Sequence, residues 1–197
     1  MSTSIQPTRP ILRYAVISRS TLASNIALAI GGTFFIALMA QISFPLPGSP
    51  VPFTGQTLAV LLLGTAYGAN LGFATLSLYI AAGVAGLPVF TQGTHGISHL
   101  SGATGGYLVG MALASYISGS LAQRKLDQKF STVIPTMLLS NLVIFACGVL
   151  WLQHVTQQSW NWTFAHGFTP FIAGEALKIA IASTSLPVVW RLVTRLK

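Results

Sequence analysis

The sequence predicts an all-α integral membrane protein, a bundle of about six transmembrane helices with an ordered non-helical outer loop between the third and the fourth. Composition, length and the placement of basic residues carry this reading. Of the 197 residues, 52% are hydrophobic and 6% charged, whereas soluble domains carry about 25% charged residues. A spanning helix takes about 20 mostly apolar residues, so the chain has room for about six spans and for no separate soluble domain. Arg9, Arg13 and Arg19 precede the first apolar segment, Arg124, Lys125 and Lys129 fill one loop, and Arg191, Arg195 and Lys197 close the chain. With helices running in sequence those clusters fall on one face, which the positive-inside rule makes cytoplasmic. The ten Lys plus Arg against two acidic residues therefore orient the protein in lipid rather than bind nucleic acid. The protein is expected in a cell membrane with both termini on its cytoplasmic side.

Residues 1–20, polar and holding Pro7 and Pro10, read as a cytoplasmic tail, 21–192 as the membrane domain and 193–197 as a second tail. The first span covers 21–44; its apolar run exceeds the roughly 7–15 residues of a signal-peptide core, so it is a retained helix. Pro45, Pro47, Pro50 and Pro52 then stop it, because proline lacks the amide donor and clashes with the preceding turn. A second span runs over 55–67 and, after a Gly68-Ala69-Asn70 turn, a third runs to 85. Both are short for a perpendicular crossing, which implies tilt or burial of their ends. Residues 86–106 are rich in Gly, Ser and Thr yet uncharged; non-helical backbone at membrane depth is tolerated only where protein buries it or it lines a cavity, so this segment is a candidate pocket lid. The fourth, fifth and sixth spans cover 107–121, 133–153 and 168–190, with a loop holding Trp160 and Trp162 before the last. Trp151, Trp160, Trp162 and Trp190 fall near span ends, as interfacial aromatic residues do.

Glu175 and Lys178 stand three apart in the last span and so share a helix face. Each ionised group near the bilayer centre costs about 2.5–3.5 kcal/mol on insertion scales, and such residues face a cavity or each other. The pair is either a neutralised structural bridge or part of a small-molecule site, the ammonium meeting a carboxylate and the carboxylate accepting from N–H groups. In the first span Ala23, Ala27 and Gly31 repeat every fourth residue. Such a small-residue stripe suits packing against the protein's own helices or docking on a partner subunit.

Other patterns carry less. His95 and His99 have the spacing of a helical metal pair, but Gly93 and Gly96 oppose a helix there and no Asp, Glu or Cys stands near, so no metal is expected. Gly96-Ile97-Ser98-His99 is similar to the nucleophile motif of intramembrane serine proteases, with His166 as its base, although His stands where a second Gly belongs; this is the rival reading, an intramembrane enzyme. Residues 102–106 are glycine-rich without a following Lys-Ser/Thr, so no P-loop binds a nucleotide. Cys147 is the sole cysteine, which rules out an internal disulfide.

The stretches PVPFTGQTLAVLLLG (50–64), YIAAGVAGLPVF (79–90) and GATGGYLVG (102–110) resemble the BioY family, the biotin-binding S components of energy-coupling factor (ECF) transporters. The resemblance runs from the first span to the sixth, with the blocks in the family's order. It implies a six-helix membrane bundle, no enzymatic activity and no cofactor. It also implies biotin as substrate, bound from outside beneath the loop after the third helix. By the same resemblance the partners are a transmembrane T component and two ATPases, with Ala23, Ala27 and Gly31 on the docking face. Some members of the family act without the ATPases, so a solitary transporter or scaffold is the alternative. The family's Gly-Asp-x-x-Lys pattern corresponds to Gly174-Glu175-Ala176-Leu177-Lys178, with a carboxylate one methylene longer. Further pocket contacts implied are Tyr107, Gln92, Gln56 and Tyr79. Ala103 stands where the family often has proline.

Overall fold

A computed structural model of the protein describes residues 11–16 and 21–195; Pro7, Pro10, Arg9, Arg19 and Lys197 lie outside them. Helices α1 (Leu12–Val16), α2 (Leu22–Gln41), α3 (Gln56–Tyr67), α4 (Ala69–Val84), α5 (Ile97–Ser101), α6 (Gly105–Ala122), α7 (Phe130–Thr156), α8 (Trp160–Gly167) and α9 (Ile172–Arg195) follow in order, with strands β1 (Ser43–Phe44) and β2 (Phe53–Thr54) between α2 and α3. The long helices α2, α3, α4, α6, α7 and α9 form the bundle. The segments Leu22–Gln41, Phe130–Thr156 and Trp160–Arg195 are long and apolar enough to cross a membrane. Large apolar side chains such as Leu22, Phe34, Leu142 and Leu192 are exposed on the outside, where lipid tails replace water.

Helix α2 begins at a capping box: Thr21 Oγ1 accepts from the Ser24 amide at 3.1 Å and Ser24 Oγ from the Thr21 amide at 3.0 Å, which satisfies two donors of the first turn. The proline-rich stop is not an open loop. It closes as a hairpin, Ser43 opposite Thr54 and Phe44 opposite Phe53, and the ladder stays short because the prolines inside it cannot donate. The α3–α4 reversal needs only Gly68, at φ 82°, with Ala69 and Asn70 already helical. A side chain at Gly68 would be strained there and would lie 2.8 Å from Ile11 Cδ1.

Between apolar helices in lipid no hydrophobic gain drives association, so close approach through small residues takes its place. A Cβ on Gly64 or Gly119 would strike the facing backbone, of Ser115 in the first case and of Gly68 and Ala69 in the second. These contacts lock α3, α4 and α6. Helix α6 meets α7 in the same way, through Gly106 against Trp151 and Cys147 and through Gly110 against Ile144.

Two expected loops contain helix. The 86–106 segment holds a 3₁₀ turn at Thr91–Gly93 and the five-residue α5. Gly96, at φ 90°, turns the chain into α5 while its amide donates to the Gly83 carbonyl at 2.7 Å. The Trp160 and Trp162 stretch is α8, capped by Ser159, whose hydroxyl accepts from the Trp162 amide at 3.3 Å. One end of the bundle gathers Ile11, Gly68 and Gln123 and the α6–α7 loop, where Trp190 Nε1 donates to Asp127 Oδ2 at 2.6 Å. The hairpin, the 86–104 segment and α8 cover the other.

Candidate functional site

The last helix aims both of its mid-chain charges inward. Glu175 and Lys178 are 6% and 8% exposed, with Lys178 Nζ 2.6 Å from Glu175 Oε1. An ammonium has three hydrogens to donate; the other two go to the Thr54 carbonyl at 2.6 Å and to Thr57 Oγ1 at 2.8 Å. The Phe53 ring centroid lies 4.0 Å from Nζ, a cation–π contact that needs Gly174, because a Cβ there would meet that ring. Glu175 Oε1 also accepts from the Thr57 hydroxyl at 2.9 Å, and Oε2 from Asn141 Nδ2 at 2.8 Å. Each partner is delivered by a separate element: Phe53 and Thr54 by β2, Thr57 by the first turn of α3, Asn141 by the middle of α7. Taking two charges out of water costs several kcal/mol per ion unless hydrogen bonds complete the pair, and this network supplies them.

The pair lines a cavity that opens to the outside of the bundle, a concave setting of the kind small-molecule sites occupy. Apolar walls come from Leu108, Met111, Ile144, Phe145 and Phe171, and the 86–104 segment contributes Thr91, His99 and Thr104. His99 is stacked on Phe90 with ring centroids 4.7 Å apart, and its Nδ1 and Nε2 lie 3.0 Å and 3.2 Å from the hydroxyls of Thr94 and Thr104. Burial holds its pKa below the ordinary 6.5.

Of the residues singled out from sequence, Lys178, Glu175, Tyr107 and Gln56 all line this cavity. The Tyr107 hydroxyl donates to the Gly167 carbonyl at 2.7 Å, and its ring fills the space over Gly148, where a Cβ would strike it. Gln56 Oε1 accepts from the hydroxyls of Thr54 and Thr91 at 3.2 and 3.3 Å. Tyr79 stands one layer behind the wall, fully buried. Its hydroxyl accepts from Gln56 Nε2 at 2.8 Å and donates to the Val89 carbonyl at 3.0 Å, so it fixes a lining residue instead of lining the site. Gln92 is exposed and outside the cavity. Its left-handed backbone, φ 58°, belongs to the 3₁₀ turn, and its neighbour Thr91 faces inward.

Sequence reasoning missed Thr57, Asn141 and Gln41, and weighed His99 only as a metal ligand. Gln41, at the end of α2, anchors the lid segment: its Nε2 donates to the Phe90 carbonyl at 3.0 Å and its Oε1 accepts from the Gly93 amide at 3.0 Å. A polar residue amid apolar ones, such as Asn141 in LLSNLVIF, was the available signal.

Ala23, Ala27 and Gly31 are exposed, and nothing lies within 4 Å of a Cβ built on Gly31. They do not pack on the protein's own helices; α2 instead buries Gly32, Ile36 and Ala40. Ser98 is exposed on α5, whereas His166 on α8 is stacked on Trp162 and has Nδ1 2.7 Å from the Trp162 carbonyl. The two do not form a nucleophile–base pair. His95 is exposed and His99 is occupied by threonines, and among the described residues no group of three or more His, Cys, Asp or Glu could hold a metal ion. At the far end, burial pushes the Asp127 carboxyl up to about 6 despite the opposing bond from Trp190.

A family model described as the BioY family matches residues 9–195. The chain is 35% identical over 168 residues to a Lactococcus lactis subsp. cremoris protein named Biotin transporter BioY2, covering 84% of this chain and 89% of that one. It is 33% identical over 151 residues to a Thermotoga maritima protein named Biotin transporter BioY, covering 77% and 86% respectively. The fold resembles a solved structure described as the S-component for biotin from an ECF-type ABC transporter, with TM-score 0.77 and 21% identity over 88% of this chain and 94% of that one.

Proposed function

As the chain belongs to the BioY family, we propose that it is a multi-pass membrane subunit that captures biotin for uptake, the S component of an ECF-type transporter and not an enzyme. The observation that carries the site is the buried Glu175–Lys178 pair on the cavity wall. Every hydrogen of the Lys178 ammonium already has an acceptor, so the lysine is committed to the protein and the open hydrogen-bonding capacity lies on the acceptor side. Glu175 Oε2 accepts one bond, and the buried Asn141 Oδ1 has no partner. A carboxylate oxygen accepts two bonds, which leaves acceptors for the N–H groups of a ureido ring. The apolar walls suit the sulfur-containing ring and the alkyl chain. The longer side chain of Glu175 is accommodated by Asn141, reaching its outer oxygen from α7.

Ala23, Ala27 and Gly31, exposed and free of bulk, serve as the docking face for a transmembrane T component joined to two ATPases. The basic residues place the bundle end with Asp127 and Trp190, and both termini, on the cytoplasmic side of the cell membrane. Biotin is cargo, not cofactor.

Labelled biotin binding to the purified protein tests the site: Lys178→Ala loses binding, and unchanged affinity removes the pair from it. In a thermal-shift panel of vitamins, biotin raises the melting point by mass action; a scaffold without a ligand site responds to none. Ala27→Trp abolishes uptake in cells while leaving biotin binding intact; if uptake continues, that face docks nothing.

A further inference from the structure

The bound vitamin has a second polar end, its carboxylate, and the ion pair does not serve it. Lys178 has spent its three donors on Thr54, Thr57 and Glu175, and its charge is neutralised by Glu175. Among the described residues lining the cavity, His99 is the other side chain that can become cationic. We propose that His99 receives the vitamin's carboxylate through the Thr104 hydroxyl and takes up a proton as it does so, which makes capture stronger in mildly acidic surroundings. This rests on the biotin reading above.

The hydrogen bonds around the imidazole let it change charge without losing a partner. The Thr94 hydroxyl donates to the Thr91 carbonyl at 2.7 Å, so it accepts from Nδ1–H at 3.0 Å. In the neutral ring Nε2 therefore accepts from the Thr104 hydroxyl at 3.2 Å. A proton taken from water onto Nε2 reverses that bond: Nε2–H donates to Thr104 Oγ1, and the freed hydroxyl hydrogen turns outward. In the empty site it has the His99 carbonyl to bond, 3.3 Å away; in the loaded site it has the carboxylate. Thr104 itself lines the cavity and immediately precedes α6, whose N-terminal end adds a favourable partial charge for an anion.

Burial favours the neutral form of His99 while the cavity is empty. A carboxylate beside it favours the cation. The remaining titratable groups around it do not compete: Tyr79 on α4 and Tyr107 on α6 are phenols, which ordinarily titrate at about 10, Glu175 and Lys178 neutralise each other, and His95 is exposed. The bound-state pKa therefore exceeds the free-state one. Affinity is lowest above the bound-state value, rises as pH falls through it, and levels off below the free-state value, which lies under 6.5.

Biotin and biotinamide, in which a neutral carboxamide replaces the carboxylate, are titrated into the purified full chain at about pH 8 and about pH 5.5. A shift of about one pKa unit on binding corresponds to an affinity change of about tenfold, so biotin binding tightens about tenfold at the lower pH and biotinamide binding stays level. His99→Gln flattens the biotin profile. Biotinamide tightening in parallel with biotin, or an unchanged profile in His99→Gln, overturns the assignment; if the variant does not fold, the two ligands on the wild-type protein decide. Failure of both ligands to bind at either pH removes the biotin reading and this proposal together, whereas equal pH responses remove the proposal alone.

Discussion

Replacing Lys178 by methionine tests how far the polar network depends on its cation. Methionine keeps most of the side-chain volume, so the packing loss is small and the electrostatic change dominates. Glu175, 6% exposed, would retain its bonds from Thr57 and Asn141 but lose the ammonium 2.6 Å away. The Thr54 carbonyl would lose its 2.6 Å donor. Removing one member of a buried pair typically costs about 3–5 kcal/mol, with about 0.5–2 kcal/mol more at stake in the Phe53 contact. At about 2–4 °C per kcal/mol for a chain of this size, the melting temperature falls by roughly 7–28 °C. Removing both charges, as in Glu175→Leu with Lys178→Met, leaves no orphaned ion, so the double variant is more stable than the single one, and neither binds biotin. Thermal unfolding of the ligand-free proteins in one detergent gives the comparison. If Lys178→Met melts within about 2 °C of wild type, or if the double variant is the least stable, the pair is not desolvated as argued.

Gly148→Ala puts a methyl against the Tyr107 ring; overpacking of this kind costs about 1–3 kcal/mol, and loss of the Tyr107–Gly167 bond reshapes the cavity, so both melting temperature and biotin affinity drop. Gln56→Leu removes the acceptor of the Thr54 and Thr91 hydroxyls and the donor to Tyr79 and weakens binding, while Gln92→Ala, exposed and off the cavity, leaves it within experimental error in the same assay. Asp127, raised from 3.8 to about 6 by burial, adds stability that is complete below 3.8 and lost as pH rises through about 6. Unfolding followed from about pH 7 to about pH 5 therefore shows a stabilising contribution on acidification that Asp127→Asn removes.

The number and order of spans were legible because apolar run length and proline punctuation act locally. The ion pair was legible as well, since two charges in a hydrophobic stretch have few places to go. Its surroundings were not: Thr57 and Glu175 are 118 positions apart and Asn141 and Glu175 are 34 apart, and only the packed bundle brings them together. Gln92, implied by the resemblance, lies off the cavity while its neighbour Thr91 lines it, because a glycine-rich segment has no period to say which side chain faces inward. Tyr79 reads as a pocket residue from the resemblance, yet it meets the site through Gln56. Helix α8 escaped notice because a short helix before a longer one shares its hydropathy, and the Ser159 cap was the signal that marks it.

The anchoring of Phe90 and Gly93 on a single glutamine has a mechanical consequence. Gln41 is the last residue of α2, the helix that carries the bare alanine and glycine face, so any swing of the covering segment must either break two hydrogen bonds at once or drag the end of that helix along. On the function proposed above, the cover of the vitamin site and the helix offered to other subunits are linked through one side-chain amide.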